Sequence, residues 1–312
     1  MSQRHAVVVG AGVGGLAAAA GLEQHGWDVS VLERGGNLTG GAGISLWPNG
    51  LAALAELGVQ DRVLAGAVLG GRSGVRTPGG KWIARSDIAD AVRSRYGRPL
   101  VLTRRETLLQ ALAGRLASGP ILFGVTAVDV KTAGQRVSVQ TDGESLTPSD
   151  VIRTDIVEIA EPLTTLHCGR GLLLGDAAHA MTPDLGQGGC QSLEDAATRA
   201  ALVGAATSID DALRQYSAQR ARRGADLVRR SRRSGRLYQA PPLVARTVAR
   251  LASHLPATAL VRPLAPVLDW RPPAPVPGTS GSTRSTPHDH PLKSKKEADA
   301  MTVVPEQTDS RP

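Results

Sequence analysis

Aromatic residues are scarce here: they make up 3% of 312 residues, with a single Phe. A surface that stacks exposed bases on rings is therefore excluded. Cysteine is as rare. Cys168 and Cys190 are the only two, too few for a disulfide scaffold or a structural zinc site, and they suit a reducing compartment such as the cytoplasm. No apolar run reaches the length of a membrane span without charge or proline, so no integral membrane association is expected. The opening MSQRHAVVVG passes from a polar start into a buried strand, and the glycine-broken region after it is no signal-peptide core.

What remains is ordinary. Hydrophobic residues at 41% and charged residues at 21% support one large or two ordinary domains. The net charge of +8 is local. Nine arginines fall between Arg214 and Arg236, while Leu213, Tyr216, Leu227, Val228 and Leu237 lie partly on one side of the same helix. A solvated helix face explains the arginines; a nucleic-acid patch is the sharper alternative, and no recognition motif accompanies it, so no nucleic-acid partner is expected. The following LVARTVARLASHLPATALVRPLAPVLDW reads as a surface helix or two, with peripheral membrane contact as the alternative. From 272 to 312 the chain is rich in Pro, Ser, Thr and charge and is expected to be disordered. His288 and His290 lie there, so no metal site is expected.

The N-terminal unit reads strand, turn, helix, strand: HAVVVG, a small-residue helix ended by Gly26, then DVSVLER. This opens a doubly wound, Rossmann-like α/β fold. At its turn stands Gly10-Ala11-Gly12-Val13-Gly14-Gly15. Gly10 permits the tight turn, Gly12 lets a pyrophosphate approach the backbone, and Gly15 lets helix and strand pack closely. Glu33 ends the second strand, where a carboxylate can accept from a ribose hydroxyl. An acid there suits FAD or NAD better than NADP, although Arg34 softens that argument. Gly43 to Gly58 reads as a turn and an amphipathic helix, Arg104 to Ser118 as another helix, and ILFGVTAVDVK and QRVSVQT as strands.

A second motif runs Gly175-Asp176-Ala177-Ala178-His179, Pro183, Gly186-Gln187-Gly188-Gly189, Glu194-Asp195. Together GAGVGG and GDAAHAMTPDLGQGG resemble the FAD-dependent aromatic hydroxylase family, the single-component flavin monooxygenases similar to para-hydroxybenzoate hydroxylase. GISLWPNG and TPDLGQGGC are similar to its branch containing FAD-dependent urate hydroxylase. The resemblance implies FAD as cofactor, with Asp176 accepting from a ribityl hydroxyl and Pro183, Gly186, Gly188 and Gly189 bare beside the flavin ring. The helix after Gly189 would stabilise negative charge at the reduced ring. Arg105, or Arg104 one register away, would reach the flavin side or its phosphates, and Val125 would bracket the adenine. His179 would orient the loop, and no catalytic side chain is expected.

The implied activity is hydroxylation of a small aromatic or heteroaromatic substrate. NAD(P)H reduces the flavin, and oxygen then gives a C4a-hydroperoxyflavin. The family's Asp-Gly fingerprint and the strand-rich region after it have no counterpart. Ser149-Asp150-Val151 looks like the start of that strand, and Arg153-Thr154-Asp155 already resembles the approach to the GD motif. The expectation is a truncated FAD-binding domain over 1–271, joined near 151–155, with most of the substrate-binding sheet missing. A truncated, catalytically silent FAD-binding protein is the alternative. A NAD-dependent dehydrogenase is a third reading, opposed by the GD motif. The substrate and the oligomeric state are not legible.

Overall fold

The structure is a computed structural model. It describes residues 4–273 except 42, 72, 77–79, 81, 118–119, 134–135, 144, 147–149, 154–160, 207, 239 and 253. Nearly all of the expected tail, and positions 154–155 of the expected join, therefore lie outside the described residues.

The first half of the chain runs β1 (His5–Val9), α1 (Val13–Glu23), β2 (Asp28–Glu33), β3 (Gly43–Leu46), α2 (Pro48–Glu56), α3 (Gln60–Ala65), β4 (Val68–Leu69), β5 (Ser73–Arg76), β6 (Trp82–Ser86) and α4 (Ile88–Tyr96). There follow β7 (Val101–Arg104), α5 (Arg105–Ala113), β8 (Ile121–Phe123), β9 (Ala127–Ala133), β10 (Arg136–Thr141), β11 (Ser145–Leu146) and β12 (Asp150–Arg153). The last part holds β13 (His167–Cys168), β14 (Gly171–Leu173), α6 (Asp176–His179), α7 (Gly188–Ala205), α8 (Ile209–Tyr238), α9 (Pro242–Ala252), α10 (Ala257–Val261) and α11 (Ala265–Leu268).

Six strands form the central sheet in the order β13-β14-β12-β1-β2-β8. All pair in parallel except β13, which is antiparallel to β14. A parallel sheet is covered on both faces, which is why β1 reads as an unbroken apolar run. Alternation divides it. Val7 and Val9 pack with Val137 and Val139 of β10, from a three-stranded sheet laid over one face. Ala6 and Val8 join the other core with Leu16 of α1, Leu108 of α5 and Leu193 of α7. Each buried valine side chain contributes about 1.5–3 kcal/mol.

Small residues set the spacing of the helical layer. Gly10 turns the chain at φ +100, and a Cβ at Gly15 would overlap the Gly10 carbonyl oxygen. A Cβ on Gly14 would come within 3.3 Å of Ser192 Cβ, and one on Gly21 within 2.8 Å of Ala200 Cβ. These contacts ascend together along α1 and α7, so the two helices run parallel. Their N-termini lie at the same end, beyond the C-terminal ends of the parallel strands.

Two expectations need correction. Gly43–Leu46 is not a turn but the strand β3, because it finds an antiparallel partner in β7, with Gly43 opposite Arg104 and Leu46 opposite Val101; tertiary pairing overrides its weak local propensity. The helix read from Arg104 to Ser118 is shorter and covers Arg105–Ala113. Among the described residues β5 and β6 pair only with each other, and no helix is long and apolar enough to cross a membrane.

Gly15→Ala is expected to destabilise the chain by about 1–3 kcal/mol or more, since the clash is with backbone that cannot rotate away. Urea unfolding followed by far-UV circular dichroism measures this; an unchanged midpoint would show that the β1–α1 turn does not hold the close approach.

Candidate cofactor site

The first half of the site is the turn between β1 and α1. The Gly10 N–H donates to the Leu32 carbonyl at 2.7 Å. Glu33, half-buried at the end of β2, accepts from the Ala11 N–H at 2.8 Å and from the Gly35 N–H at 2.7 Å. Its own carbonyl accepts from the Val125 N–H at 3.1 Å. Glu33 and Val125 are thus brought together beside the glycine turn. Arg34 is exposed.

The structure separates Arg104 from Arg105. Arg104 ends β7 opposite Gly43. Arg105 opens α5 and folds back over the turn: its Cδ lies 3.0 Å from where a Cβ of Gly41 would stand, and its guanidinium 3.9 Å from that of Gly12. Nothing else lies within 4 Å of that Gly12 position. The result is a bare backbone turn, a helix N-terminus and one cation facing a common space, the arrangement that receives a phosphate.

The second half lies at the end of β14, two strands from β1 in the sheet and hence about 10 Å away. Gly175 takes φ +61 and ψ −137, a conformation open to glycine alone. Asp176 and His179 follow on α6. Pro183 starts a 3-10 turn over Pro183–Leu185, and Gly186 leads to the N-terminus of α7. Asp176 is half-buried, with Oδ1 3.9 Å from where a Cβ of Gly188 would stand, and a Cβ on Gly189 would overlap the Ile44 side chain. Trp47 Nε1 lies 3.4 Å from the corresponding position on Gly186 and is buried without a hydrogen-bond partner. An unpaired donor beside bare glycine backbone fits a flat ligand that carries acceptors.

Behind this loop lies a buried polar network. Asp195 accepts from the Gly175 N–H at 2.7 Å, from His179 Nε2 at 2.6 Å and from Arg220 Nε at 2.5 Å. Glu194 accepts from Arg220 at 2.7 Å, from Arg223 at 2.6 and 2.7 Å, from Asn49 at 2.7 Å and from Gln191 at 2.9 Å. Burial would raise the Asp195 carboxyl, but Arg220 and then His179 outweigh it and hold it at about 2, against an ordinary 3.8. His179 is engaged in this buried network and shares the Asp195 Oδ2 oxygen with the Gly175 N–H. Burial pushes the Cys190 thiol up to about 12, so it is an inert packing group beneath Gly50.

Arg220 and Arg223 correct the reading of the arginine run as a solvated face: Arg220 is fully buried and Arg223 largely so. The available signal was Glu194-Asp195, an acid pair inside a helix rich in Ala, Leu and Gly, which requires buried cations from somewhere. Among the described residues no group of three His, Cys, Asp or Glu could hold a metal ion. A cavity of about 700 Å³ lies elsewhere, beside Pro48, Tyr96 and Asp269, and shares no residue of the two glycine-rich motifs.

This fold and site define a dinucleotide-binding flavoprotein of the Rossmann type. Residues 126–231 match the family described as FAD binding domain, and residues 8–60 match the NAD(P)-binding Rossmann-like domain. The FAD-dependent urate hydroxylase of Klebsiella pneumoniae is 27% identical, over 73% of this chain and 88% of that protein. A Rhodococcus erythropolis protein named as a 2-heptyl-3-hydroxy-4(1H)-quinolone synthase, AqdB1, is 42% identical over 42% of this chain. That match spans about a third of the relative's length, 34%. The crystal structure of K. pneumoniae HpxO with FAD and uric acid superposes with a TM-score of 0.75 at 22% identity, covering 85% of this chain and 96% of that one. The chain thus carries a match to the FAD binding domain and is similar to FAD-dependent aromatic hydroxylases.

The urate hydroxylase alignment extends over 344 positions but takes in 73% of this chain. That share of 312 residues is about 228, so roughly 116 positions of the relative, 344 less 228, have no counterpart here.

Arg220→Met is expected to cost about 3–5 kcal/mol, because Glu194 and Asp195 stay buried without their shared cation. The check is the urea midpoint at neutral pH. Asp195 supplies a pH signature. Its folded value lies below its unfolded one, so the unfolded chain binds more protons between pH 3.8 and 2. The contribution is full above this window and is lost as pH falls through it. Across that window wild type should lose stability more steeply than Asp195→Asn; parallel slopes would refute the ion-pair account.

Proposed function

We propose that this chain binds FAD across the N-termini of α1 and α7, and that it is a monooxygenase hydroxylating an aromatic or heteroaromatic small molecule. The observation that carries the reading is the parallel pair of helices, whose positive ends face one space flanked by Glu33 and Asp176. Two helix N-termini favour a diphosphate at one end and a ring that gains negative charge at the other.

In this reading Gly10, Gly12, Val13, Gly14 and Gly15 offer backbone to the diphosphate, and Arg105 neutralises it. Glu33 accepts from a ribose hydroxyl, with Arg34 at the rim, and Val125 borders the adenine. Asp176 accepts from a ribityl hydroxyl. Pro183, Gly186, Gly188 and Gly189 border the ring, and the Trp47 indole N–H donates to an acceptor on it. When bound, FAD supplies the redox chemistry: NAD(P)H and O2 are consumed, one oxygen atom enters the substrate, and the other leaves as water. The chain's own residues bind and orient the cofactor, and none serves as acid or base. The relatives' names, a urate hydroxylase and a quinolone synthase, favour a fused nitrogen heterocycle as substrate. The reducing-compartment reading places the activity in the cytoplasm.

A second reading is a truncated FAD-binding protein without hydroxylase activity. It is favoured by the 116 unmatched positions and by the missing Asp-Gly element. We place the gap at the join near 151–155 of a domain over 1–271: β12 takes up its position beside β1 and β14, and among the described residues no strand lies between it and β13.

The purified chain is expected to carry flavin absorbance in the visible range. Arg105→Ala should raise the Kd for FAD about tenfold to a hundredfold, the loss of one charge-assisted contact. Glu33→Ala should do likewise. A colourless wild-type chain that FAD cannot reconstitute sinks the FAD reading. NAD(P)H oxidation that yields only hydrogen peroxide, with no hydroxylated product from any nitrogen heterocycle, favours the second reading.

A further inference from the structure

The basic excess of this chain has one address. From Leu227 to Leu268 there is no Asp or Glu, and there are eight arginines. The whole chain has 36 basic and 28 acidic residues, so its excess of eight resides in this stretch and the remainder is balanced. Arg222, Arg229, Arg233 and Arg236 are exposed and recur at steps of seven, four and three along α8, which puts them on one helix face. Over that span the stripe is about 21 Å long.

The same stretch holds the exposed apolar surface. Leu243, Leu251, Leu255 and Val244 are 77%, 66%, 53% and 48% exposed, four of the seven large hydrophobic side chains exposed among the described residues. On α9, Leu243, Val244, Thr247 and Leu251 fall within about 100° of arc. The one hydroxyl on that arc, Thr247 Oγ1, donates back to the Leu243 carbonyl at 2.8 Å, so the face offers no free polar group. Arg250 and His254 stand exposed at its edge. Only three residues separate α8 from α9, so Arg236 and Leu243 are within about 25 Å even along a fully extended chain.

From this juxtaposition we infer that residues 222–255 form a peripheral docking surface for an anionic phospholipid bilayer, α9 lying in the interface. Aliphatic side chains on one arc, arginines on the adjoining helix and a single acid between 222 and 255, Asp226, which pairs with Arg229 and Arg230, match what such a surface requires: apolar area for the acyl boundary and an excess of cations for the headgroups. Nucleic acid would satisfy the arginines but leave the leucines in water. A second copy would cover the leucines, but a twofold interface sets a patch against itself and would press two strongly cationic stretches together.

The test uses the full chain, with or without flavin, in co-sedimentation with vesicles of phosphatidylcholine alone and of phosphatidylcholine mixed with phosphatidylglycerol. Binding is expected to the mixed vesicles and to weaken in high salt. Leu243→Asp with Leu251→Asp should reduce partition at least tenfold without moving the thermal midpoint, since both side chains already face water. Arg233→Gln and Arg236→Gln should each lower it about fivefold on mixed vesicles alone. No binding by folded protein overturns the inference. So does binding indifferent to the leucine substitutions, retention on duplex nucleic acid in place of vesicles, or a concentration-dependent dimer that Leu243→Asp dissolves.

Discussion

The ion pairs of Arg220 with Asp195 and Glu194 are the constraint on which the site depends. Two carboxylates on consecutive residues of α7 are fully buried, and burial of unpaired charge would cost several kcal/mol per group. Arg220 from α8 meets both, and Arg223 meets Glu194 again from the next turn. The same Asp195 oxygen that faces His179 also accepts from the Gly175 N–H. One buried anion therefore links the long C-terminal helix to the strained glycine that re-aims the chain after β14. Without that link, Asp176, the Pro183–Leu185 turn and the N-terminus of α7 would have no fixed place relative to the sheet.

How much of this was legible depends on the range of the forces involved. The β1–α1–β2 opening was legible to within a residue or two, because apolar runs, small residues and a terminal acid are local signals. Glu33 and Arg105 stood out for the same reason, although only the fold separates Arg105 from Arg104, by sending one along β7 and folding the other over Gly12. The strand β3 was missed because its stability comes from β7, more than fifty residues away. Arg220 and Arg223 were hidden in a run of like residues. Nothing local marks which arginine in a repetitive helix points inward; that is decided by the acids of another helix. Trp47 and Asn49 stood inside the GISLWPNG motif, but their contacts were not legible, since these arise from the approach of α2 to α7.

The charge balance tells a similar story at larger scale. The net charge of the chain describes no part of it. Most of the fold is neutral by count, and one C-terminal stretch is strongly cationic. Electrostatic statements about this protein thus belong to segments: the buried carboxylates Glu194 and Asp195 share Arg220 and Arg223 in one network, whereas the outer face of α8 carries an excess of arginine.

The parallel contact of α1 with α7 carries a mechanical consequence. Gly14 against Ser192 and Gly21 against Ala200 bring the helices so close that an added Cβ would stand 3.3 and 2.8 Å from the facing Cβ. A pair of rods touching at both ends cannot pivot about either. The distance between the two halves of the groove is thus a built-in dimension of the scaffold, and opening or closing around a ligand falls to the loops. The 34–41 stretch is placed for this: Gly40 and Gly41 hold φ of +90 and +100, and Arg105 rests its aliphatic stem on Gly41. A latch of that kind can swing while the frame behind it keeps its measure.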